Sequence, residues 1–187
     1  GLIDPPGRIS SGTVELDGER IDGLRGEAMR RIRGRRIGSI FQDPLTSLNP
    51  VYTVGRHLVE TIRTHLPLTE AQARARALEL LEEVEIPEAR VRLGQYPHQF
   101  SGGQRQRIGI ARALAVQPRF IVADEPLSAL DVSIQAQVVN LLGDLKDRLG
   151  LTLLFISHDL DVVEYLCDRV VVLYLGRVVE VAPTEAL

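Results

Sequence analysis

The stretch Phe120-Ile121-Val122-Ala123-Asp124-Glu125 decides the fold, because it is a short apolar run that ends in two adjacent carboxylates. A second apolar run, Thr152-Leu153-Leu154-Phe155-Ile156, follows after an amphipathic segment at residues 133–149. Continuous apolar runs of this length are typical of parallel strands that are buried on both faces. Strand, helix and strand in this order form a βαβ unit. The sequence therefore predicts an α/β protein whose sheet is mostly parallel and has helices on either side.

The residues around this unit predict small hairpins and a block of helices. Asp17-Gly18, between β-prone runs, is typical of a two-residue hairpin turn, and a final hairpin is predicted around Gly176. Thr69 and Gln72 have the spacing of a helical capping box. The remaining predictions are a short basic helix, a strand, and three helices before the first apolar strand, at residues 24–33, 37–41, 54–64, 69–84 and 104–115.

Composition excludes several classes of protein. The 187 residues are 44% hydrophobic and 25% charged with a net charge of −3, which favours one folded domain over a disordered chain. The mildly acidic balance argues against sequence-independent nucleic-acid binding. Cys167 is the only cysteine, so no disulfide can form within the chain, and no run approaches the ~20 apolar residues that cross a bilayer.

Two groups of polar residues end the apolar strands. Asp124 and Glu125 follow the first strand, and His158 follows the second within Ser157-His158-Asp159. Parallel sheets bind ligands at the carboxyl edge of their strands, where one carboxylate can hold Mg²⁺ and the next can act as a general base on water. The alternatives are solvated acids at an ordinary strand end and a structural histidine.

A third group stands at the start of a predicted helix. Ser101-Gly102-Gly103-Gln104 has the spacing of a capping box between Ser101 and Gln104. A cap does not require two glycines, however, and Gly102 and Gly103 would expose backbone N–H groups at a helix N-terminus. Those groups and the helix dipole can bind a phosphate. Both interpretations stay open at this point.

The order of these elements resembles the ATP-binding domain of ABC transporters. Gln42 matches the Q-loop, residues 101–104 the signature motif, residues 120–125 the Walker B strand with its glutamate, Ser128-Ala129-Leu130-Asp131 the D-loop, and His158 the switch histidine. The amino-acid sequence at residues 41–50, 96–100 and 128–137 is similar to that of the oligopeptide and dipeptide importer ATPases, which include nickel and glutathione members.

The resemblance implies a P-loop NTPase-like (RecA-like) fold, mostly a parallel sheet with a helical insertion and small β-hairpins. Residues 1–43 and 117–187 would form a RecA-like core with a β-subdomain, and residues 44–116 a helical subdomain with the signature helix. Pro44, Leu45 and Leu48 would either line a groove for a permease helix or pack inside the helical subdomain.

The resemblance also implies a role for each site residue in binding and hydrolysing ATP with Mg²⁺. Asp124 would support the metal, and Gln42 would reach both the metal and the attacking water. Glu125 would polarise that water as the catalytic base, and His158 would contact the γ-phosphate. In a head-to-tail dimer, Ser101, Gly102, Gly103 and Gln104 of one subunit would cap the nucleotide of the other, and Asp131 would link the two sites.

The implied partners are a second ATP-binding subunit, identical or paralogous, transmembrane permease subunits and, indirectly, a solute-binding protein, with no nucleic acid. The implied location is peripheral, on the cytoplasmic side of the cell membrane, and the cargo is a peptide or a related small solute. Two alternatives remain: a non-catalytic nucleotide-binding partner subunit, and a soluble ABC ATPase. The short helical insertion argues against the second, and intact Glu125 and His158 argue against the first.

One family motif is absent from the 187 residues. They contain no G-x-x-x-x-G-K-[ST] phosphate-binding loop, and Lys146, the only lysine, has no glycine cradle before it. Since this loop is absent and Gly1, not Met, stands first, we expect a fragment that is truncated at both ends and inactive by itself. We also expect its sheet to lack the strand before the loop, which would leave an unpaired edge or an apolar gap.

Overall fold

A parallel three-stranded sheet forms the centre of the protein in a computed structural model, which describes residues 7–43 and 48–186. Its strands are β3 (Ile37–Ile40), β4 (Phe120–Asp124) and β5 (Thr152–Ile156), in the order β3-β4-β5. Ile40 lies opposite Ala123, and Asp124 lies opposite Ile156, so the carboxyl ends of the three strands meet at one edge. The α/β architecture predicted from the apolar runs is confirmed.

Five of the helices described begin and end close to the predicted positions, and two short ones, α4 and α7, were not predicted. They are α1 (Gly26–Ile32), α2 (Val54–His65), α3 (Glu70–Glu83), α4 (Ala89–Arg92), α5 (Gly102–Leu114), α6 (Val132–Leu149) and α7 (Leu160–Leu166). Thr69 and Gln72 form the predicted capping box at the start of α3. Helix α6 ends at Gly150, whose φ of 61° is the left-handed conformation that glycine adopts without a Cβ penalty. Helix α5 begins two residues before the predicted start.

The core lies between the helices and one face of the sheet. Ile121 of β4 and Leu153 of β5 face Ile110 of α5 and Leu142 of α6, and Ile121 is 1% exposed. The prediction of burial on both faces is wrong for β5, because burial along this strand alternates and leaves Leu154 48% and Ile156 43% exposed. In β4, Phe120 and Val122 are half-buried. Within residues 7–43 and 48–186, helices α5 and α6 pack on the side of Ile121 and Leu153, and the side chains on the opposite face stay accessible.

Two antiparallel hairpins flank the sheet as predicted. Strands β1 (Glu15–Leu16) and β2 (Glu19–Arg20) are joined by Asp17-Gly18, and β6 (Arg169–Tyr174) and β7 (Arg177–Pro183) by Leu175-Gly176. Both turn residues have positive φ in each hairpin, at 51° and 77° in the first and 47° and 75° in the second. Positive φ at both positions is the geometry of a type I′ turn, whose twist matches that of the strands.

Among the described residues, β5 pairs with β4 alone, so it forms an edge of the sheet as expected. The β6–β7 hairpin forms a separate sheet whose apolar side chains are exposed, among them Val171 (53%), Leu173 (66%) and Val178 (59%). The edge strand presents unpaired backbone groups to solvent, and the hairpin presents apolar area. The β6–β7 hairpin is therefore an exposed apolar surface.

Candidate functional site

The register of the sheet brings Gln42 to Glu125. Ile40 of β3 and Ala123 of β4 are direct neighbours at the carboxyl edge of the sheet. Gln42 lies two residues after Ile40, and Glu125 lies two residues after Ala123. The amide Nε2 of Gln42 donates a hydrogen bond of 2.9 Å to Oε2 of Glu125. Because Nε2 is turned toward the carboxylate, the amide oxygen of Gln42 remains as an acceptor for another group.

His158 reaches the other oxygen of the same carboxylate. It lies two residues beyond Ile156, at the end of β5, and its Nδ1 is 3.7 Å from Oε1 of Glu125. The side chain of His158 is 77% exposed and that of Glu125 is 35% exposed. Two of the three residues that the resemblance assigned to catalysis, Gln42 and His158, therefore lie on either side of the carboxylate of the third, Glu125. This carboxylate is open to solvent on the His158 side.

The backbone of Glu125 adopts a conformation that non-glycine residues rarely take. Its φ is 42°, in the left-handed region, which costs of order 1–3 kcal/mol unless the surroundings enforce it. The N–H of Glu125 donates to the carbonyl of Ile156 at 3.0 Å, and its carbonyl accepts from the N–H and hydroxyl of Ser128 at 3.3 and 3.1 Å. These contacts hold the turn in which the chain leaves β4, and they aim the Glu125 side chain at Gln42 and His158.

Asp124 is the last residue of β4 and is exposed at the same edge. The described residues contain no group of three His, Cys, Asp or Glu side chains that could hold a metal by themselves. Mg²⁺ typically takes one or two protein oxygens and completes its shell with water and phosphate oxygens. The Asp124 carboxylate and the free amide oxygen of Gln42 are ligands of that kind, so the residues present fit Mg²⁺ delivered with a phosphate substrate.

The structure at the start of α5 shows why the chain has glycine at position 103. Ser101 Oγ accepts from the N–H of Gln104 at 3.3 Å, and the Gln104 side chain accepts from the N–H of Ser101 at 3.1 Å, so the capping box is present. Gly103 is buried, and a Cβ on it would lie 2.5 Å from Cγ2 of Ile134 in α6. A Cβ on Gly102 would lie at 3.6 Å from Leu130, an ordinary contact. Gly103 is therefore required for packing, whereas Gly102 has no such requirement.

Asp131 lies immediately before α6, at its N-cap position, and is exposed. Its side chain makes no capping hydrogen bond, although aspartate is a favoured capping residue. Since the described residues give its carboxylate no hydrogen bond or ion pair, Asp131 can serve a group outside the chain. Helices α5 and α6 meet at their N-termini, so Asp131 and the start of α5 share one surface.

The structure thus arranges the predicted residues in two groups. Gln42, Glu125 and His158 are in contact at the edge of the sheet, and Asp124 ends the same strand. The second group is the start of α5 with Asp131, and no hydrogen bond or ion pair between described residues joins it to the first. Pro44 and Leu45 lie outside the described residues, and Leu48 is 2% exposed within the core, so it packs inside and lines no groove.

A buried histidine, His57, contacts the backbone at Asn49. The ring Nε2 of His57 lies 3.0 Å from the carbonyl of Asn49, and the ring packs near Tyr52, over which Arg56 stacks at 3.6 Å. Burial lowers the pKa of His57, so the neutral ring is favoured as the donor to Asn49. This histidine therefore has a structural role.

Sequence reasoning gave no separate role to Gln135, which the structure brings to the same region. Gln135 lines a small cleft together with Glu125, Ser128 and His158, and its amide donates to two backbone carbonyls of the segment before α6. Its position in the first turns of a helix that follows a loop was the available signal, but such glutamines usually face solvent.

Comparison with known proteins gives a consistent result. The family model described as "ABC transporter" matches residues 1–128. A peptide import ATP-binding protein of Brucella ovis is 57% identical over 186 residues, which is 100% of this chain and 56% of the relative. A peptide ABC transporter ATP-binding protein of Sinorhizobium fredii is 51% identical over 176 residues, 94% of this chain and 52% of the relative. The chain spans about half the length of the curated relatives it matches.

Solved structures show the same fold. A dimeric ATP-binding cassette in a post-hydrolysis state, bound to ADP and Pi, superposes with a TM-score of 0.82 at 31% identity, covering 94% of this chain and 74% of that one. CbiO1 from Clostridium perfringens, part of the ABC transporter complex cbiONQ, gives 0.82 at 29% identity, covering 95% and 68%. None of the described helices is long and apolar enough to cross a membrane.

Proposed function

Because this chain belongs to the ABC transporter family, we propose that it supplies the hydrolytic and dimer-forming residues of the ATP-binding motor subunit of a peptide importer. The convergence of Gln42 and His158 on Glu125 carries the proposal. A decayed, non-catalytic domain has no need to keep this geometry or the strained backbone of Glu125. The peptide-import names of the relatives support the cargo class.

Each residue of this group has a part in ATP hydrolysis. Glu125 accepts a proton from a water molecule and so activates it as the attacking nucleophile. Gln42 holds the carboxylate in place through its Nε2 and orients the water beside it. His158, exposed at the rim, donates to the terminal phosphate and stabilises the charge that develops there.

Asp124 and the amide oxygen of Gln42 would hold Mg²⁺ when it arrives with ATP. Bound in this way, Mg²⁺ supplies neutralisation of phosphate charge and a fixed orientation of the phosphates. The exposure of Asp124 at the sheet edge leaves room for the remaining water and phosphate ligands.

The second group serves a second ATP-binding subunit. The backbone N–H groups at the start of α5, with Ser101, Gly102, Gly103 and Gln104, face the phosphates of the partner's nucleotide, and Asp131 contacts the partner. The dimeric state of a similar cassette supports this arrangement. ATP shared between two subunits closes the dimer, and loss of the terminal phosphate opens it, because the ligand binds the closed state more tightly.

Residues 44–116 form the helical subdomain, which passes this motion to permease subunits, and residues 1–43 and 117–187 form the core. The subunit lies peripherally on the cytoplasmic side of the cell membrane, with the solute-binding protein acting indirectly. The peptide-import name of the Brucella ovis relative supports a partnership with membrane permease subunits.

The 187 residues alone do not bind ATP, because they contain no P-loop amides and lysine to surround the β- and γ-phosphates. Isothermal titration of the chain with Mg-ATP is expected to give no heat of binding. Low-micromolar affinity would contradict this part of the proposal.

Hydrolysis is tested by grafting. The matching 186 residues of the Brucella ovis relative are replaced by this chain, and ATP turnover is measured. Glu125→Gln in the graft is expected to abolish turnover while ATP-dependent dimers persist, because Gln keeps the shape of the side chain and loses the base. Unchanged turnover would refute the role of Glu125, and a matched Glu164→Gln variant, altered at an exposed position of α7, serves as the control.

A further inference from the structure

We propose that Gln135 is a positioning residue, which holds the segment between Glu125 and Asp131 in the shape that both residues need. The amide Nε2 of Gln135 donates to the carbonyl of Leu127 at 3.0 Å and to that of Leu130 at 3.1 Å. One side chain from α6 therefore ties together the two ends of the turn at residues 127–130. This inference rests on the function proposed above for Glu125 and Asp131.

The need for such a clamp follows from the two residues at the ends of the segment. Glu125 holds a left-handed backbone at φ 42°, and its carbonyl is bound by Ser128, the third residue of the segment. Asp131 occupies an N-cap position without capping the helix. The backbone carbonyl of Asp131 accepts from the N–H groups of Ile134 and Gln135, but its side chain leaves the preceding segment unsecured. The amide of Gln135 supplies the side-chain contact that holds that segment.

The contacts form one continuous path along the segment. The carbonyl of Ile156 in β5 binds the N–H of Glu125, the carbonyl of Glu125 binds Ser128, and the carbonyl of Leu127 binds both the N–H of Leu130 and Gln135. The path ends at the carbonyl of Leu130, next to Asp131. A displacement of Asp131 by a second subunit would therefore reach the backbone of Glu125 through bonds that Gln135 closes.

The first test measures the clamp in the 187-residue chain by hydrogen exchange, which needs no ATP. Gln135→Glu keeps the volume of the side chain and replaces the donor with a carboxylate that repels both carbonyls. The N–H groups of Ser128 and Leu130 are expected to exchange about fivefold faster, the factor set by one net hydrogen bond. Gln137→Glu makes the same change at an exposed position of the same helix, and it is expected to leave both rates unchanged.

Equal exchange in Gln135→Glu and in the parent chain would overturn the proposal. If Gln135→Glu raises exchange throughout the molecule, the Gln135→Lys variant tests whether a donor at this position holds the segment. Its ammonium group restores a donor within reach of the two carbonyls. Protection of Ser128 and Leu130 should then return, and exchange as fast as in Gln135→Glu would overturn the proposal.

The second test separates positioning from general stability in the grafted ATPase. Gln135→Glu is expected to lower kcat about tenfold and to leave KM for ATP within about twofold, because the segment orients the base and does not bind the nucleotide. A rise in KM with unchanged kcat would overturn the assignment. If the unmodified graft hydrolyses no ATP, the proposed function fails, whereas the exchange rates still decide whether Gln135 is a clamp.

Discussion

Replacing Gly103 by alanine tests the contact between the starts of α5 and α6. The added Cβ would lie 2.5 Å from Cγ2 of Ile134, well inside the distance at which two carbons can approach. A β-branched side chain in a helix has one strongly preferred χ1 rotamer, so Ile134 can move aside only at a cost in free energy. The helices must therefore separate locally or the side chain must leave its rotamer.

The magnitude follows from two opposing effects. Overpacking of this kind costs about 1–3 kcal/mol, and the better helix propensity of alanine returns up to about 1 kcal/mol, so a net destabilisation of about 1–2 kcal/mol is expected. With a urea m-value of about 2 kcal/mol/M for a chain of this size, the unfolding midpoint should fall by about 0.5–1 M. Gly102→Ala is the matched control, because its Cβ would meet only an ordinary contact at 3.6 Å.

Urea unfolding followed by far-UV circular dichroism measures both variants at one protein concentration. Ile134→Ala removes Cγ2, so in the double variant the cost of Gly103→Ala should largely disappear and the two changes should not add. Equal midpoints for Gly103→Ala and Gly102→Ala would refute the packing argument. Gly103 would then be explained by phosphate binding alone.

Three further predictions concern other parts of the chain. Thr69→Ala removes the cap of α3 and should cost about 1 kcal/mol in urea unfolding, whereas Thr64→Ala, which removes only a bond to the carbonyl of Glu60, should cost less. The hydrogen bonds from Arg20, and next that from the N–H of Val14, lower the pKa of Asp22 to about 2. The stabilisation they give the first hairpin is therefore present above the ordinary pKa near 4 and lost as the pH falls through about 2. The amide shift of Val14 in an NMR titration should report this loss, and Asp22→Asn should abolish the transition. Burial raises the pKa of the Cys167 thiol, so iodoacetamide at pH 8 should react more slowly with the folded chain than with the chain in urea, and equal rates would contradict the burial.

Local signals were sufficient for most of the fold. The Asp17-Gly18 turn, the capping box at Thr69 and Gln72, and the glycine stop at Gly150 each depend on residues close together in the chain, and each is present in the structure. The family resemblance assigned Gln42 and Glu125 to one site, and the parallel pairing of β3 with β4 brings them to the same edge of the sheet.

Features that depend on distant partners were not predictable. An apolar run such as residues 152–156 has the same sequence pattern whether helices cover one face of the strand or both. The exposure of Leu154 could therefore not be predicted. The reason for Gly103 lies in Ile134, thirty-one residues along the chain, and no local pattern joins the two. The clamp formed by Gln135 likewise appears only once the turn before α6 is folded.

The left-handed backbone of Glu125 places selection for activity against selection for stability at one position. Glycine or asparagine would adopt a φ of 42° at lower cost, so either substitution should relax the turn while it removes the carboxylate. A lineage released from the need to hydrolyse ATP would be expected to drift toward these residues. The residue at this position can therefore serve as a marker that distinguishes family members that hydrolyse ATP from members that have lost this activity.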